Sequence, residues 1–295
     1  MADEKFVLTG IRPAPEAPPP VRPAARRDRP ILAAVILAVI VLGCLGCELV
    51  MTKDPTYMDL MNYSRPPDRE FLFGTDTMGR DIFSMIWYGG RISLLIGFVS
   101  TAISTAIAIL FGSLSGLAPP WLDSLLMRLA EIILSIPGLL LVVLIQAALG
   151  EATVWSISLV IGVTSWTSVA KVVRTEVRQI RESEYVVASR CMGGGFFHIL
   201  RRHLTPNFLP AIMFMVVMNI RGAIVSESTL SFLGIGLPLE VISWGSMLSL
   251  AEKALLGNCW WIILIPGLFL VTTLVCMTEL GNYLRKSANR RQSNL

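Results

Sequence analysis

The sequence has few charged residues and very few histidines, and several enzyme motifs are missing from it. Charged residues make up 16% of the 295 positions, and His198 and His203 are the two histidines. No G-x-x-x-x-G-K-[ST] segment occurs, so we expect no P-loop in this chain. No Ser/His/Asp set, H-E-x-x-H motif or carboxylate pair falls where it could form one site. The sequence therefore predicts no catalytic residues, no metal site and no cofactor bound by the chain.

Cysteines and basic residues are not arranged as in metal-binding or nucleic-acid-binding proteins. Of the five cysteines, Cys44 and Cys47 have C-x-x-C spacing, but no second ligand pair lies nearby in the sequence. The net charge is only +4, and the basic residues are grouped between apolar runs, as in membrane proteins. We expect no zinc site, no disulfide framework and no nucleic-acid partner.

Hydrophobic residues, by contrast, make up 54% of the chain. A bilayer core of about 30 Å is crossed by roughly 20 apolar residues of helix. Six windows reach this length and lack the polar faces that a large soluble core would show. The sequence therefore predicts an all-α, polytopic membrane protein with six transmembrane helices in a lipid bilayer. The windows are residues 31–50, 92–118, 132–150, 152–170, 208–239 and 254–278.

Lysine and arginine predict the orientation of these helices. They are concentrated before the first window, after the fourth and after the last. An even number of helices places these three segments on one side, which the positive-inside rule assigns to the cytoplasm. The loop after the first window is an exception, with five basic residues, but the other three segments outweigh it. Both termini are therefore predicted to be cytoplasmic.

The loop after the fourth window has the features of a docking segment. Tyr185, Ala188, Ser189 and Met192 are spaced to share one helical face. Glycines from position 193 onward end this helix, and Pro206 precedes the return to the membrane. An apolar-faced helix in such a loop has nothing of its own chain to bury against, so a groove on another protein is expected to receive it. A helix lying on the membrane surface is the alternative.

The loop after the first window contains a compact glycine-rich turn. Its glycines permit tight backbone geometry, and its charged side chains can pair with one another. We favour a structured cap that closes the outer rim of the protein, and contact with a substrate-delivery protein is the alternative. The residues are Gly74, Thr75, Asp76, Gly79, Arg80 and Asp81.

These segments, in this order, resemble a known family of transport proteins. The pattern GTD-x-x-GRD at positions 74–81, followed by Gly-Arg-Ile-Ser-Leu at 90–94, resembles the signature of the "C" permease subunit of dipeptide, oligopeptide and nickel ABC importers. Glu227 and the segments 230–236 and 243–248 match further along. The segment from Glu184 through Gly193 and His203 to Pro206 resembles the cytoplasmic "EAA" loop of such permeases, although Val187 stands at the name-giving glutamate.

The resemblance implies a MetI-like ABC permease fold in a bacterial plasma (inner) membrane. It implies three kinds of partner: a paralogous permease subunit, two P-loop ATPase subunits that use ATP and magnesium, and an extracytoplasmic substrate-binding protein. The implied cargo is a di- or oligopeptide, with nickel or a metal chelate as the alternative. A self-sufficient secondary transporter is less favoured, because no clear internal repeat and few intramembrane acids are present.

Two charges fall within the fifth window, where charge usually marks function or a paired structural site. Arg221 and Glu227 are six residues apart and so lie on different helix faces, which makes a direct ion pair unexpected. Arg221 could bind a peptide carboxylate or an acid on a neighbouring helix, and we favour the second. Glu227 is expected to be structural.

The sequence thus divides into five segments. Residues 1–30 form a Pro-rich cytoplasmic tail that is expected to be disordered. Residues 31–51 form the first transmembrane helix, retained because a long tail precedes it. The cap loop comprises residues 52–91. The permease core comprises residues 92–284 and includes the coupling loop, residues 181–207. A basic cytoplasmic tail covers residues 285–295.

Overall fold

The structure, a computed structural model, describes residues 30–250, 254 and 257–292. The predicted Pro-rich tail therefore lies outside the described residues except for Pro30, and so do the last residues of the basic tail. Within the described part every regular element is a helix, and the one β-bridge joins Thr75 to Asp81.

The described helices are numbered α1 to α12 in chain order. A 3-10 turn at Leu60–Asn62 lies in the cap loop, and a π-helical turn at Leu200–Leu204 joins α9 to α10. The helices are α1 Ile31–Leu45, α2 Cys47–Val50, α3 Ile82–Leu117, α4 Pro120–Ser135, α5 Gly138–Leu149, α6 Val154–Thr164, α7 Thr167–Ile180, α8 Glu184–Cys191, α9 Phe196–Ile199, α10 Thr205–Phe232, α11 Trp244–Ser249 and α12 Trp261–Gln292.

The helices account for up to five membrane spans by length and composition. Three are long and apolar enough alone: Ile82–Leu117, Phe196–Phe232 and Trp261–Lys286. Two bent pairs pass when each is taken together, α4 with α5 at 89° and α6 with α7 at 44°. Helix α1 is apolar but only 15 residues long. The count of six spans and the orientation of the termini stay predictions.

The second helix begins earlier than the hydropathy windows indicate. Helix α3 starts at Ile82 instead of residue 92, so the last ten positions of the predicted cap loop are helical. The cause is Asp81, whose side chain accepts a hydrogen bond from the N–H group of Ser84 and thereby caps the first turn. The polar residues that follow are buried by neighbouring helices, which a hydropathy window does not register.

Helix α3 is the central element, and it packs closely against α6, α7 and α10. Its 36 residues span about 54 Å at 1.5 Å per residue. Two of its glycines permit this packing, because added Cβ atoms would meet backbone or branched side chains. At Gly112 a Cβ would lie 2.5 Å from the Ala170 carbonyl oxygen, and at Gly97 it would lie 2.8 Å from Ile224. Small residues at helix contacts are common in membrane bundles.

Three apolar clusters hold the helices together. The first joins α1, α3, α11 and α12 around Trp244, whose indole N–H donates to the Ile86 carbonyl at 3.0 Å. The second joins α7 to the coupling loop and the start of α10, around Val177 and Leu204. The third joins α3, α5, α6 and α10 around Ile161.

Candidate functional site

The coupling loop presents one exposed face and is held to its own chain by the other. Tyr185 and Ala188 of α8 are exposed, and so is Met192, which directly follows the helix and is 83% exposed. Val186 is fully buried in the cluster that α7 forms with the loop, and Ser189 is also buried. The four residues predicted to share a face are therefore divided. The expectation that this helix has nothing of its own chain to bury against is wrong, because Val186 is buried in an apolar cluster that includes residues of α7 and of the π-helical turn.

A glycine turn ends α8 and packs against Ser189. Gly193 has φ +85°, in the left-handed region, and its N–H donates to the Arg190 carbonyl at 2.9 Å. The N–H group of Gly194 donates to the Ser189 carbonyl at 2.9 Å. A Cβ at Gly194 would lie 2.7 Å from that carbonyl oxygen. Helices commonly end with such a left-handed glycine. The turn borders an open depression of about 340 Å³ that His198 and Met192 also line.

The far side of the loop contains contacts between aromatic rings and a proline near the start of α10. The ring of His203, in the π-helical turn, lies 5.8 Å from the ring of Tyr185 and 6.0 Å from that of His198, centroid to centroid. Pro206 is exposed in the first turn of α10, where a helix needs no N–H donor. Glu184 is exposed at the start of α8. The predicted loop residues are thus brought together around α8 and the glycine turn.

A buried carboxylate that the sequence analysis missed ties α4 to α7 beside this loop. Asp123 is 3% exposed and accepts from Arg174 at 2.5 Å (Nε to Oδ1) and 2.6 Å (Nη2 to Oδ2). The Nη2 of Arg178 donates to the same carboxylate, and the Ser115 hydroxyl donates to it at 2.5 Å. The sequence signal that could have indicated this site is the pair of arginines spaced i, i+4 on α7. The end of α3, α4 and α7 are therefore fixed to one another next to the coupling loop.

The cap-loop residues form a buried framework. All six predicted residues are buried. The guanidinium of Arg80 pairs with Asp76 at 2.8 Å, and the Asp76 carboxylate also accepts from the backbone N–H groups of Met78 and Arg80. Asp81 does not join this pair and instead caps α3. Because these side chains are inaccessible, their burial favours the structural interpretation of the cap.

Contacts to the rest of the chain fix the position of the cap. The indole N–H of Trp261 in α12 donates to the Thr75 carbonyl at 3.1 Å. Gly74 and Gly79 both have positive φ, and a Cβ at Gly79 would lie 1.8 Å from the Asp59 carbonyl oxygen. At the loop surface the backbone N–H of Phe71 holds the pKa of Asp68 below its ordinary value. The loop is therefore an ordered element.

The two intramembrane charges of α10 have separate environments, as their spacing predicted. Glu227 is fully buried, and its carboxylate accepts from four serine hydroxyls on three segments. Arg221 is partly buried, and its described contact is a long 3.5 Å hydrogen bond to the Thr278 hydroxyl on α12. No ion pair joins Arg221 to an acid within the described residues. The serine hydroxyls are those of Ser93 (3.2 Å), Ser228 (3.4 Å), Ser231 (3.0 Å) and Ser243 (2.7 Å).

Several apolar helices of membrane-spanning length, with an exposed helix–glycine turn–helix loop between two of them, are the features of a polytopic membrane protein. The chain belongs to the family described as binding-protein-dependent transport system inner membrane component, which matches residues 108–290. Within it the chain is an ABC-importer permease of the peptide-transporter group. The relatives of this family are transport subunits and not enzymes.

Curated relatives and a solved structure agree with this placement. The chain is 34% identical over 251 residues to the dipeptide transport system permease protein DppC of Bacillus subtilis, covering 85% of this chain and 78% of that protein. It is 32% identical over 251 residues to the oligopeptide transport system permease protein OppC of the same organism, covering 85% and 80%. The fold is similar to a chain of the inward-facing MetNI methionine ABC transporter, with TM-score 0.53 and 18% identity over 69% of this chain and 96% of that one.

Proposed function

We propose that this chain is one of two permease subunits of an ATP-driven importer of di- or oligopeptides. A paralogous permease would form the other half of the pathway, and two separate ATPase subunits would bind and hydrolyse ATP with magnesium. An extracytoplasmic binding protein would deliver the cargo. The names of the curated relatives favour peptides over nickel or a metal chelate, the other cargo that the sequence left open.

The observation that carries this proposal is that one face of α8 is buried against its own chain while the other face is exposed. Val186 anchors the helix in the cluster around α7, while Tyr185, Ala188 and Met192 stay exposed. A short helix with an exposed, partly apolar face suits insertion into a groove on another protein. Because Val186 and the valines of α7 belong to one buried cluster, a displacement of α8 by a partner would be transmitted to α7 through that cluster.

The Asp123 cluster extends this connection beyond α7. Its carboxylate joins α4 to Arg174 and Arg178 on α7. A pull on the coupling loop would therefore reach α4 through charge-assisted hydrogen bonds, which are stronger than neutral ones. Closure and opening of the two ATPases would thereby rock the helices between outward- and inward-facing arrangements.

The proposed orientation has both termini and the coupling loop in the cytoplasm and the cap loop outside. The buried cap residues shape the outer rim, and the binding protein would contact exposed side chains beside them. Three exposed apolar residues, Tyr57, Leu60 and Met61, offer such a surface. Apolar side chains exposed together commonly mark interaction surfaces.

Two methionine substitutions test the coupling assignment. Met192 at the end of α8 and Met61 in the cap loop are 83% and 94% exposed, so Met192→Glu and Met61→Glu leave the core intact. After affinity purification from the native membrane, we expect Met192→Glu to lose the co-purified ATPase subunits and Met61→Glu to retain them. Recovery of the wild-type chain alone, stable in mild detergent, would contradict the proposed function. Equal ATPase recovery with both variants would contradict the role of α8.

A further inference from the structure

Glu227 lies where three parts of the chain meet. Its carboxylate is fully buried and accepts from serines of α3, of α10 and of the segment between α10 and α11. It joins none of the ion pairs within the described residues. A buried charge needs a counter-charge or hydrogen bonds, and here serine hydroxyls supply the hydrogen bonds. We call Glu227 with its four serines the Glu227 cluster, and residues 233–243, between the two helices, the strap.

Three of these serines relay the contact from Glu227 to backbone N–H groups. Each donates its hydroxyl to the carboxylate and accepts, through the same oxygen, from one N–H group. The N–H groups belong to the strap and to the first turn of α11. Hydrogen bonds in such chains polarise and strengthen one another. Glu227 therefore fixes the middle of the strap and the helix that follows it. The pairs are Ser231 with the N–H of Leu237 (3.2 Å), Ser93 with that of Trp244 (3.1 Å) and Ser243 with that of Ser246 (3.0 Å).

Two glycines allow the backbone to lie close against the Glu227 cluster. A Cβ at Gly245 would lie 2.9 Å from Oε1 of Glu227. A Cβ at Gly236, within the strap, would lie 2.4 Å from the hydroxyl oxygen of Ser231. Both distances are too short for a carbon atom, so the contact admits no larger residue. The strap can therefore shift relative to α10 only if the hydrogen bonds of the cluster break.

The strap connects α10 to the cap loop. Nη1 of Arg80, in the cap, donates a long hydrogen bond of 3.5 Å to the Leu239 carbonyl of the strap. At its other end the strap follows α10, which is continuous with α9 and the π-helical turn from Phe196 to Phe232. These 37 residues span about 55 Å at 1.5 Å per residue. A contiguous path thus runs from the coupling loop through α10, the Glu227 cluster and the strap to the cap.

We propose that Glu227 is a positioning residue for transport, which holds the strap to α10 and α3 so that the cap and the coupling loop move together. This inference rests on the proposed function, in which a binding protein contacts the outer rim and ATPase subunits bind α8. Packed and hydrogen-bonded elements that form a contiguous network can carry coupling between distant sites. With the cluster broken, the binding protein would still dock, but its docking would accelerate ATP hydrolysis less.

Two substitutions break the cluster at different points. Ser231→Ala removes the relay to Leu237 in the strap and leaves Glu227 in place. Glu227→Gln keeps the shape of the side chain, but its amide nitrogen cannot accept from a hydroxyl. Ser158→Ala on α6 is the matched control for the serine variant. Ser158 is also buried, and its hydroxyl donates within its own helix to the Val154 carbonyl at 2.7 Å.

The measurement is ATP hydrolysis by the complete complex in reconstituted vesicles, with added amounts of the binding protein that co-purifies with the wild type. We expect Ser231→Ala and Glu227→Gln to lower the maximal stimulation of hydrolysis several-fold. Hydrolysis without binding protein, and the binding-protein concentration for half-maximal stimulation, should not change. Ser158→Ala should respond as the wild type does. A merely structural role would lower the amount of complex, which leaves the ratio of stimulated to unstimulated hydrolysis unchanged.

The outcomes separate this inference from the proposed function. If the wild-type complex is stimulated and Ser231→Ala is stimulated equally, the inference is overturned while the proposed function stands. An altered half-maximal concentration with an unchanged maximum would also overturn it, because the cluster would then act on docking alone. If no ATPase subunit co-purifies with the wild type, both are overturned. Ser93→Ala, which breaks the relay through α3, replaces Ser231→Ala if that variant does not assemble.

Discussion

Asp123 of α4 and Arg174 of α7 form a two-point ion pair, with distances of 2.5 Å from Nε to Oδ1 and 2.6 Å from Nη2 to Oδ2. The carboxylate is nearly inaccessible, whereas the side chain of Arg174 is 23% exposed. This geometry gives both orientation and strength to the contact. It connects α4 rigidly to α7, the helix that directly precedes α8, and we propose that α8 binds an ATPase subunit.

Asp123→Asn should destabilise the protein, because both arginines would lose their charged partner while the side-chain volume stays the same. Breaking a buried pair by removing one partner costs about 3–5 kcal/mol, and we expect the lower end because the arginines are partly exposed. Apparent melting temperature in mild detergent measures the effect. Glu151→Gln, at an exposed position, is the control and should leave the melting temperature unchanged. Equal melting temperatures for the two variants would contradict a structural role for the pair.

The Glu227 cluster predicts a graded response to substitution. Glu227→Ala removes the acceptor of four serine hydroxyls, and each buried group left unsatisfied costs about 1–3 kcal/mol. Glu227→Gln keeps one acceptor oxygen and the shape of the side chain, so it should be clearly less damaging. Melting temperature and yield in detergent distinguish the two. An equal loss with both variants would mean that the negative charge itself is required, and would contradict the hydrogen-bonding account.

Two glycines of the coupling loop form a matched pair for a test of its turn. A Cβ at Gly193 or Gly195 would meet no atom within 4 Å, so neither site is sterically closed. Only Gly193 has positive φ, and an L-residue in that region costs about 1–2 kcal/mol. We expect Gly193→Val to distort the turn and to uncouple ATP hydrolysis from peptide uptake. Gly195→Val should retain coupled uptake.

The ratio of ATP hydrolysed to peptide accumulated in reconstituted vesicles is the required measurement. Both variants must be present in the membrane at wild-type levels, which immunoblotting of the vesicles establishes. Normal coupling with Gly193→Val would count against this turn as part of the force-transmitting loop.

Much of the architecture was predictable because it depends on composition and on short signals. The helical class follows from the long apolar windows, and the turn after α8 follows from the glycines at 193–195. The family resemblance rested on patterns at positions 74–81 and 184–206. The six-span count is different, since Ile31–Leu45 is short and two pairs of helices are bent. Hydropathy measures how apolar a segment is, but it does not register a bend.

The missed features depend on contacts between distant segments. The start of α3 at Ile82 depends on a cap from Asp81 and on the burial of polar residues that a hydropathy window counts as unfavourable. The Asp123 cluster joins positions about 50 residues apart, so the i, i+4 arginines of α7 gave a local signal but did not identify their partner. In α8, periodicity placed Ser189 with Tyr185, but Ser189 is buried and Tyr185 is exposed, on a helix whose Val186 lies in the apolar cluster that includes α7.

The buried ion pair between Arg80 and Asp76 in the cap loop predicts that Arg80 stabilises the loop and does not itself bind a delivery protein. Arg80 and Asp76 are both almost completely inaccessible, so neither can contact a delivery protein directly. Arg80→Leu leaves a buried carboxylate without its partner and should loosen the loop. In vesicles with the outer face exposed, this variant should be cleaved within the cap loop by a protease that leaves the wild type intact. Arg80→Lys keeps the charge but lacks the planar fork, so it should be intermediate.

Arg69→Leu is the matched control, because Arg69 is exposed and its loss leaves no buried charge. Reduced uptake should accompany cleavage sensitivity if the cap acts by shaping the outer rim. A variant of Arg80 that resists the protease as the wild type does, yet has lost uptake, would contradict the framework role. In that case the side chain would have to act on the cargo or its carrier after a rearrangement that exposes it.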